Sequence, residues 1–474
     1  MNNNRFRRQF LLTTQTSVNF SWKRFDIKEY TLHFHPELAF TRSIWKEKEL
    51  IMLGSMYDWE TPAQTNQHLL DSLVRTGSFE NFWAKLSTYA GQYVILYRDK
   101  SHFLLFNDAC AQHEIYYDSS LTTFGSQPKL ICEIIESEPH TRHDAIEFYS
   151  SREFFSKKLF VRETTHHGNI KHLLPNHYID INKKTTVRYF PSEPVARFSI
   201  KEVAPRACQM LRGYIKAVAM RKKIAMAVTG GYDSRVLFLA SLDEDCEYFV
   251  LQHKNMTAKH YDVVVPQRLT KLHKRQFEVI PDAETFEEIS DSIDFPRAIP
   301  KASKYFENHI YLNGSISEIA RSFYGFDKMV SADDLAFING YGRFAYVVGI
   351  YGQWLENAVL FKKYAYNVLD MFYWEERTGI WVAKEKTMMN AFGMVVFSPF
   401  CSRDLLTLLL STPRKDRDKH INRLYNAILL ELSPHALKIP INPSLKSDVI
   451  RLMTRLKIYA TYRNLGLKYK ALRY

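Results

Sequence analysis

The spacing of apolar side chains changes character once along the chain. Up to about residue 190 they come in short runs broken by turn residues. Leu50-Ile51-Met52-Leu53-Gly54 has the pattern of a buried strand. Thr65 to Gly77 predicts a helix with Leu69, Leu70 and Leu73 on one face. Gly91–Tyr97 and Phe103–Phe106 predict a hairpin turning at Asp99-Lys100-Ser101. Tyr116-Tyr117 and Thr122–Gly125 predict a second, and His177–Ile181 and Val187–Phe190 further strands. Pro191 to Arg197 holds two prolines and no periodicity, which marks a boundary. From Ile200 the pattern predicts a long amphipathic helix (Val203–Met220) and a strand (Ile224–Val228). A Gly-Gly loop and a helix follow, then a strand (Tyr248–Leu251), a helix (Tyr261–Leu272) and a strand (Phe277–Ile280). That alternation predicts a parallel sheet. Beyond about residue 300 the chain reads as mostly helical.

Composition narrows the class. The 474 residues are 46% hydrophobic and 24% charged, an ordinary globular mix with enough chain to bury cores without staples. Lys plus Arg exceeds Asp plus Glu by 64 to 51, so the net charge of +13 favours an anionic partner. The five cysteines form no C-x-x-C pair, which removes the main support for zinc-ribbon, iron–sulfur or thioredoxin-type chemistry and fits free thiols in the cytoplasm. No uncharged apolar run reaches the ~18 residues of a membrane span.

The sharpest motif is Thr229-Gly230-Gly231-Tyr232-Asp233-Ser234-Arg235, set between a predicted strand and a predicted helix. Two glycines allow close approach of a phosphate, and a helix N-terminus offers amides and partial positive charge. Thr229, Ser234 and Arg235 add donors, while Asp233 makes sense beside phosphates if a divalent cation bridges them. A Walker loop is absent, since no Lys follows the glycines.

This motif resembles the S-G-G-x-D-S pyrophosphate loop of the N-type ATP pyrophosphatases, with Thr229 for the first Ser. Tyr311 to Arg321 resembles the G-x-G-x-D-E segment of asparagine synthetases and β-lactam synthetases; Glu318 matches its Glu, and Ser317 stands at its Asp. Asp262 fits the acid that opens the helix after the second strand. Trp374–Trp381 and Ser398–Arg403 resemble the late E-x-R-x-P-F segment through Pro399-Phe400, with Val395 and Phe397 at its Glu and Arg. Lys438 is the nearest counterpart of the late catalytic Lys. Gly91–Leu96, Asn107–Cys110 and Phe124–Leu130 are similar to the glutaminase-type domain of the same enzymes.

The resemblance implies an α/β protein of two domains. Residues 1–192 would form an N-terminal-nucleophile-type αββα sandwich. Residues 198–474 would form a Rossmann-like parallel-sheet ATP pyrophosphatase domain with a helical C-terminal part. It implies ATP and Mg2+ as cofactors: Thr229 to Arg235 on the pyrophosphate, Asp233 and Glu318 on the metal, and Asp233, Arg235 and Lys438 catalytic. The implied reaction is formation of an amide through an acyl-adenylate, from a carboxylate and an amine or ammonia. The chain starts Met1-Asn2-Asn3-Asn4 and has no Cys before Cys110, so no glutaminase activity is expected. A binding protein on a degenerate synthetase fold is the alternative, and a tRNA-modifying enzyme the least favoured.

Three further features have plain readings. His166-His167 reads as an exposed loop pair and Asp333-Asp334 as a helix start. Ser444 to Tyr474 is basic, with Val449, Leu452, Leu456 and Tyr459 at helical spacing. Such a helix can lie on an anionic membrane, but the expected arrangement docks its apolar face on its own domain.

Overall fold

The strand Lys48–Tyr57 shows how the first half is layered. Its side chains alternate between two cores, as strand geometry requires. Ile51 and Leu53 meet Phe10, Leu12, Leu32 and Phe34 of a second sheet, whereas Leu50 and Met52 meet Leu69, Leu70 and Leu73 of the helix Asn66–Val74. Both sheets are six-stranded and antiparallel. One runs Ile170–His172, Tyr116–Asp118, Thr123–Gly125, Phe10–Thr13, Tyr30–Phe34, Lys23–Ile27 across its width. The other runs Thr185–Arg188, His177–Asp180, Phe103–Asn107, Ala90–Arg98, Lys48–Tyr57, Phe40–Trp45. Helices Asn66–Val74 and Phe79–Ser87 cover the outside of the second sheet, and Leu130 of Pro128–Cys132 packs with Phe6 and Leu11 on the outside of the first.

This computed structural model describes residues 5–16, 18–252, 256–281, 292–296, 303–305, 308–324, 331–459, 461–463 and 465. Met1 to Asn4, on which the expectation of a missing N-terminal thiol rests, lie outside the described residues.

Ser199 and Glu202 form a capping box that starts the helix Ile200–Ala219. The second half then builds a five-stranded parallel sheet in the order Glu278–Ile280, Cys246–Leu251, Lys223–Ala227, His309–Leu312, Val395–Phe397. Lys223–Ala227 is central. Its last strand, Val395–Phe397, interrupts the helical reading of the C-terminal part. Three residues between helical segments carry too little pattern to be seen in sequence. The two halves share a core and polar ties: Tyr214 Oη donates to Thr88 O at 2.6 Å, and Trp374 Nε1 to Ala109 O at 2.8 Å.

Two expectations are corrected here. The tail helix Leu445–Arg455 has no buried residue, and Leu445, Val449, Leu452 and Leu456 are all exposed; of the expected apolar face only Tyr459, edge-on to His420 at 4.7 Å, meets the domain among the described residues. His166 and His167 are half-buried rather than exposed, with His166 stacked on Phe160 at 5.6 Å. Asp334 does begin a helix, in a capping box with Ser331. Among the described residues no helix is long and apolar enough to cross a membrane.

Candidate functional site

The Thr229–Arg235 loop leaves the carboxyl end of the central parallel strand and enters the helix Tyr232–Ala240. That is where open parallel sheets bind ligands. Gly231 is the N-cap and provides no side-chain cap, so the first-turn amides are left to another acceptor. The start of the loop is more occupied. Thr229 N donates to Ser234 Oγ at 3.0 Å, and the two hydroxyls lie 2.9 Å apart. Gly230 N donates to Asp262 Oδ1 at 2.7 Å, and Gly230 O accepts from Asn442 N at 2.9 Å. Gly230 is needed for close packing: a Cβ there would fall 2.9 Å from the Tyr261 ring. Tyr232 is buried, its ring 5.4 Å from the Arg321 guanidinium.

Arg235 lies inside the protein, at 0% exposure. Its Nη1 donates to Ile439 O at 2.6 Å and Ala436 O at 3.2 Å, and its Nη2 to Pro440 O at 2.9 Å. Burial pulls its pKa down to about 10. The expected phosphate contact is therefore replaced by a structural one. The side chain binds the 436–440 segment to the loop helix. Lys438 stands on that segment, exposed to solvent.

Asp233 is drawn away from a metal role. Arg321 Nη1 donates to its Oδ1 at 2.6 Å and also reaches Oδ2, and the Ser317 hydroxyl donates to Oδ1 as well. Gly314 lets the turn lie close, since a Cβ there would sit 2.7 Å from Asp233 Cβ. Burial works against the charge of Arg321, yet the carboxylates of Asp233 and Glu318 hold its pKa above the ordinary value. Glu318 Oε2 accepts from Tyr373 Oη. Among the described residues no three metal-ligating side chains cluster. The residues present do not fit the implied Mg2+: a guanidinium occupies the carboxylate that would hold it. Ser317–Arg321 is a short 3-10 helix, and its Ser317 presents a hydroxyl where the resembled motif has an acid.

A second cation stands close by. Lys419 Nζ lies 3.9 Å from the centroid of the Phe323 ring, and burial lowers its pKa to about 8. Arg377 stacks on Trp381 at 4.8 Å, within the π-helix Tyr373–Val382. Sequence reasoning passed over Arg321, Lys419 and Tyr373. Arg321 had a local signal, a base three residues after Glu318; the other two reach the site from distant segments.

No family model matches the chain, and no curated protein matches it in sequence. Among solved structures it is similar to one titled the allosteric regulatory enzyme of purine biosynthesis. That match has 8% identity over 72% of this chain and 73% of that one, at a TM-score of 0.24. A glutamine phosphoribosylpyrophosphate amidotransferase from B. subtilis, complexed with ADP and GMP, matches at 8% identity over 67% and 72%, at a TM-score of 0.23. Scores of this size do not establish a common fold.

Proposed function

We propose that the chain binds ATP with its phosphates at the Gly231–Ser234 end of the loop and uses it to form an amide. In this reading a substrate carboxylate oxygen attacks the α-phosphorus and pyrophosphate leaves. An amine or ammonia then attacks the acyl carbon and AMP departs. The observation that carries the reading is the uncapped helix N-terminus at the carboxyl end of the central parallel strand, with Arg321 beside it and Lys419 within charge range of Arg321. Its amides and the two cations would stabilise charge growing on the departing pyrophosphate. Arg321 would act where it stands, as a fixed cation already aligned by Asp233. Arg235 and Asn442 would position the loop, and Asp262 would hold the Gly230 amide.

The test is ATP binding by calorimetry together with pyrophosphate release across a panel of carboxylates and amines, with and without a chelator. ATP binding that survives the chelator and is lost in Arg321→Met is expected. Absence of ATP binding by the wild-type chain would overturn the reading.

The occupied Gly230 amide and the arginine-bound Asp233 favour a second reading, a nucleotide-binding protein without turnover. Tight ATP binding with no pyrophosphate released from any carboxylate would select it.

A further inference from the structure

A cavity of about 660 Å³ lies between the first half of the chain and the helix Ala345–Asn357, away from the glycine loop. Arg162, Lys171, Lys184 and Arg188 line it, against one lining carboxylate, Glu163, among the described residues. Trp354 forms part of its wall. That volume is within the usual ~300–1,000 Å³ range of small-molecule sites.

The charges behind this wall do not close. Glu375 lies fully buried beneath it. Its carboxylate accepts from Arg188 Nη2 at 3.0 Å, Trp354 Nε1 at 3.0 Å and Asn176 Nδ2 at 3.4 Å, and Arg188 Nη1 also donates to it. With four donors its lone pairs are used. Arg162 reaches it only loosely, Nη2 to Oε2 at 3.7 Å, while its Nε lies 3.4 Å from Glu163. Arg162 Nη1 has no hydrogen-bond partner among the described residues, though Arg162 is only 5% exposed. Glu376, also buried, accepts from the Arg162 backbone and faces its charge, and its Oε2 likewise has no hydrogen-bond partner among the described residues. Burial keeps His172 and His177 neutral, pulling them to about 3 and 4, so they neither add to nor offset the charge. Four cations face Glu163, Glu375 and, beside Arg162, the buried Glu376, which burial raises to about 7, so at least one positive charge is left unmatched.

We infer that this cavity is a binding site for a small anionic molecule, a dicarboxylate or a phosphate monoester. Arg162 and Arg188 make the floor of the cavity positive. Lys171 and Lys184, exposed at the rim, attract the anion. The Trp354 ring, 5.5 Å from the Arg162 guanidinium, backs that side chain. The inference does not depend on ATP binding at the loop.

Calorimetric titration of the full chain with succinate and, separately, with phosphoserine tests it, and the stronger of the two names the anion type. Binding in the millimolar range or tighter is expected for one of them. The double variant Lys171→Ala/Lys184→Ala, both rim residues, weakens it by about tenfold. Arg162→Gln weakens it further. Asp233→Ala at the loop leaves it unchanged, and the rim variant leaves ATP binding unchanged. Failure of both probes to bind at about 10 mM overturns the inference. So does wild-type affinity in the rim variant.

Discussion

The glycine loop and the junction cavity hold arginine–carboxylate pairs in opposite conditions. At the loop, Arg235 is consumed by three backbone carbonyls and Arg321 is bound to Asp233. At the cavity, Glu375 is saturated and Arg162 keeps one nitrogen without a partner. The loop has the recognisable motif, and its arginines Arg235 and Arg321 spend terminal nitrogens on the protein, keeping only Nε buried without a partner among the described residues. The cavity has no motif, and its Arg162 keeps a terminal nitrogen, Nη1, without one. A pattern of residue types shows what chemistry a segment could perform; the partners those residues already have decide what remains available.

The largest effect expected from breaking this contrast is at Glu375. Glu375→Ala would leave Arg188 and Arg162 as buried cations without their shared carboxylate. A loss of about 3–5 kcal/mol is expected from the urea unfolding midpoint. Arg235→Met comes next, since three partly or fully buried carbonyls lose their donor. About 2–3 kcal/mol should be lost, while Lys438→Ala, on the same segment but exposed, changes stability by less than about 0.5 kcal/mol. An Arg235→Met chain as stable as the wild type would return Arg235 to the phosphate.

A third test uses pH. His172 is buried, and burial lowers its pKa to about 3, so below about pH 6.5 it takes up a proton only on unfolding. Its contribution is fully present above pH 6.5 and is lost as the pH falls toward 3. His172→Gln should therefore have a shallower loss, by about 1.4 kcal/mol per pH unit. Glu114 and Glu376, raised to about 7 by burial, act in the opposite sense, disfavouring the fold as the pH rises from about 4.5 to 7. The difference between variant and wild type is thus the quantity to measure by thermal melts across pH 4 to 6.5. Smallest of all, Val449→Ser with Leu452→Ser on the exposed face of the tail helix should shift the unfolding midpoint by less than about 0.5 kcal/mol. A larger loss would mean that face is covered.

Much of the fold was legible in the sequence because it rests on local periodicity. The helix Tyr261–Leu272 agrees with its sequence pattern end to end, and the hairpin of Ala90–Arg98 with Phe103–Asn107 lies where alternating residues placed it. The loop's position after the central strand was legible for the same reason. The fate of its side chains was not. Arg235 follows the motif like an anion ligand, but the helix Tyr232–Ala240 is buried from Arg235 to Ala240, so its arginine points into protein. The Arg188–Glu375 pair joins residues 187 positions apart, a closeness only tertiary packing creates. The exposed face of Leu445–Arg455 was misjudged because periodicity tells which residues share a side and not what they meet.

Arg235 and Asn442 together stitch the glycine loop to the strap that runs from Ala436 to Asn442, just ahead of the tail helix. Two distant stretches of chain are thereby wired into one mechanical unit. Any displacement of the loop would therefore be handed on to the root of the tail.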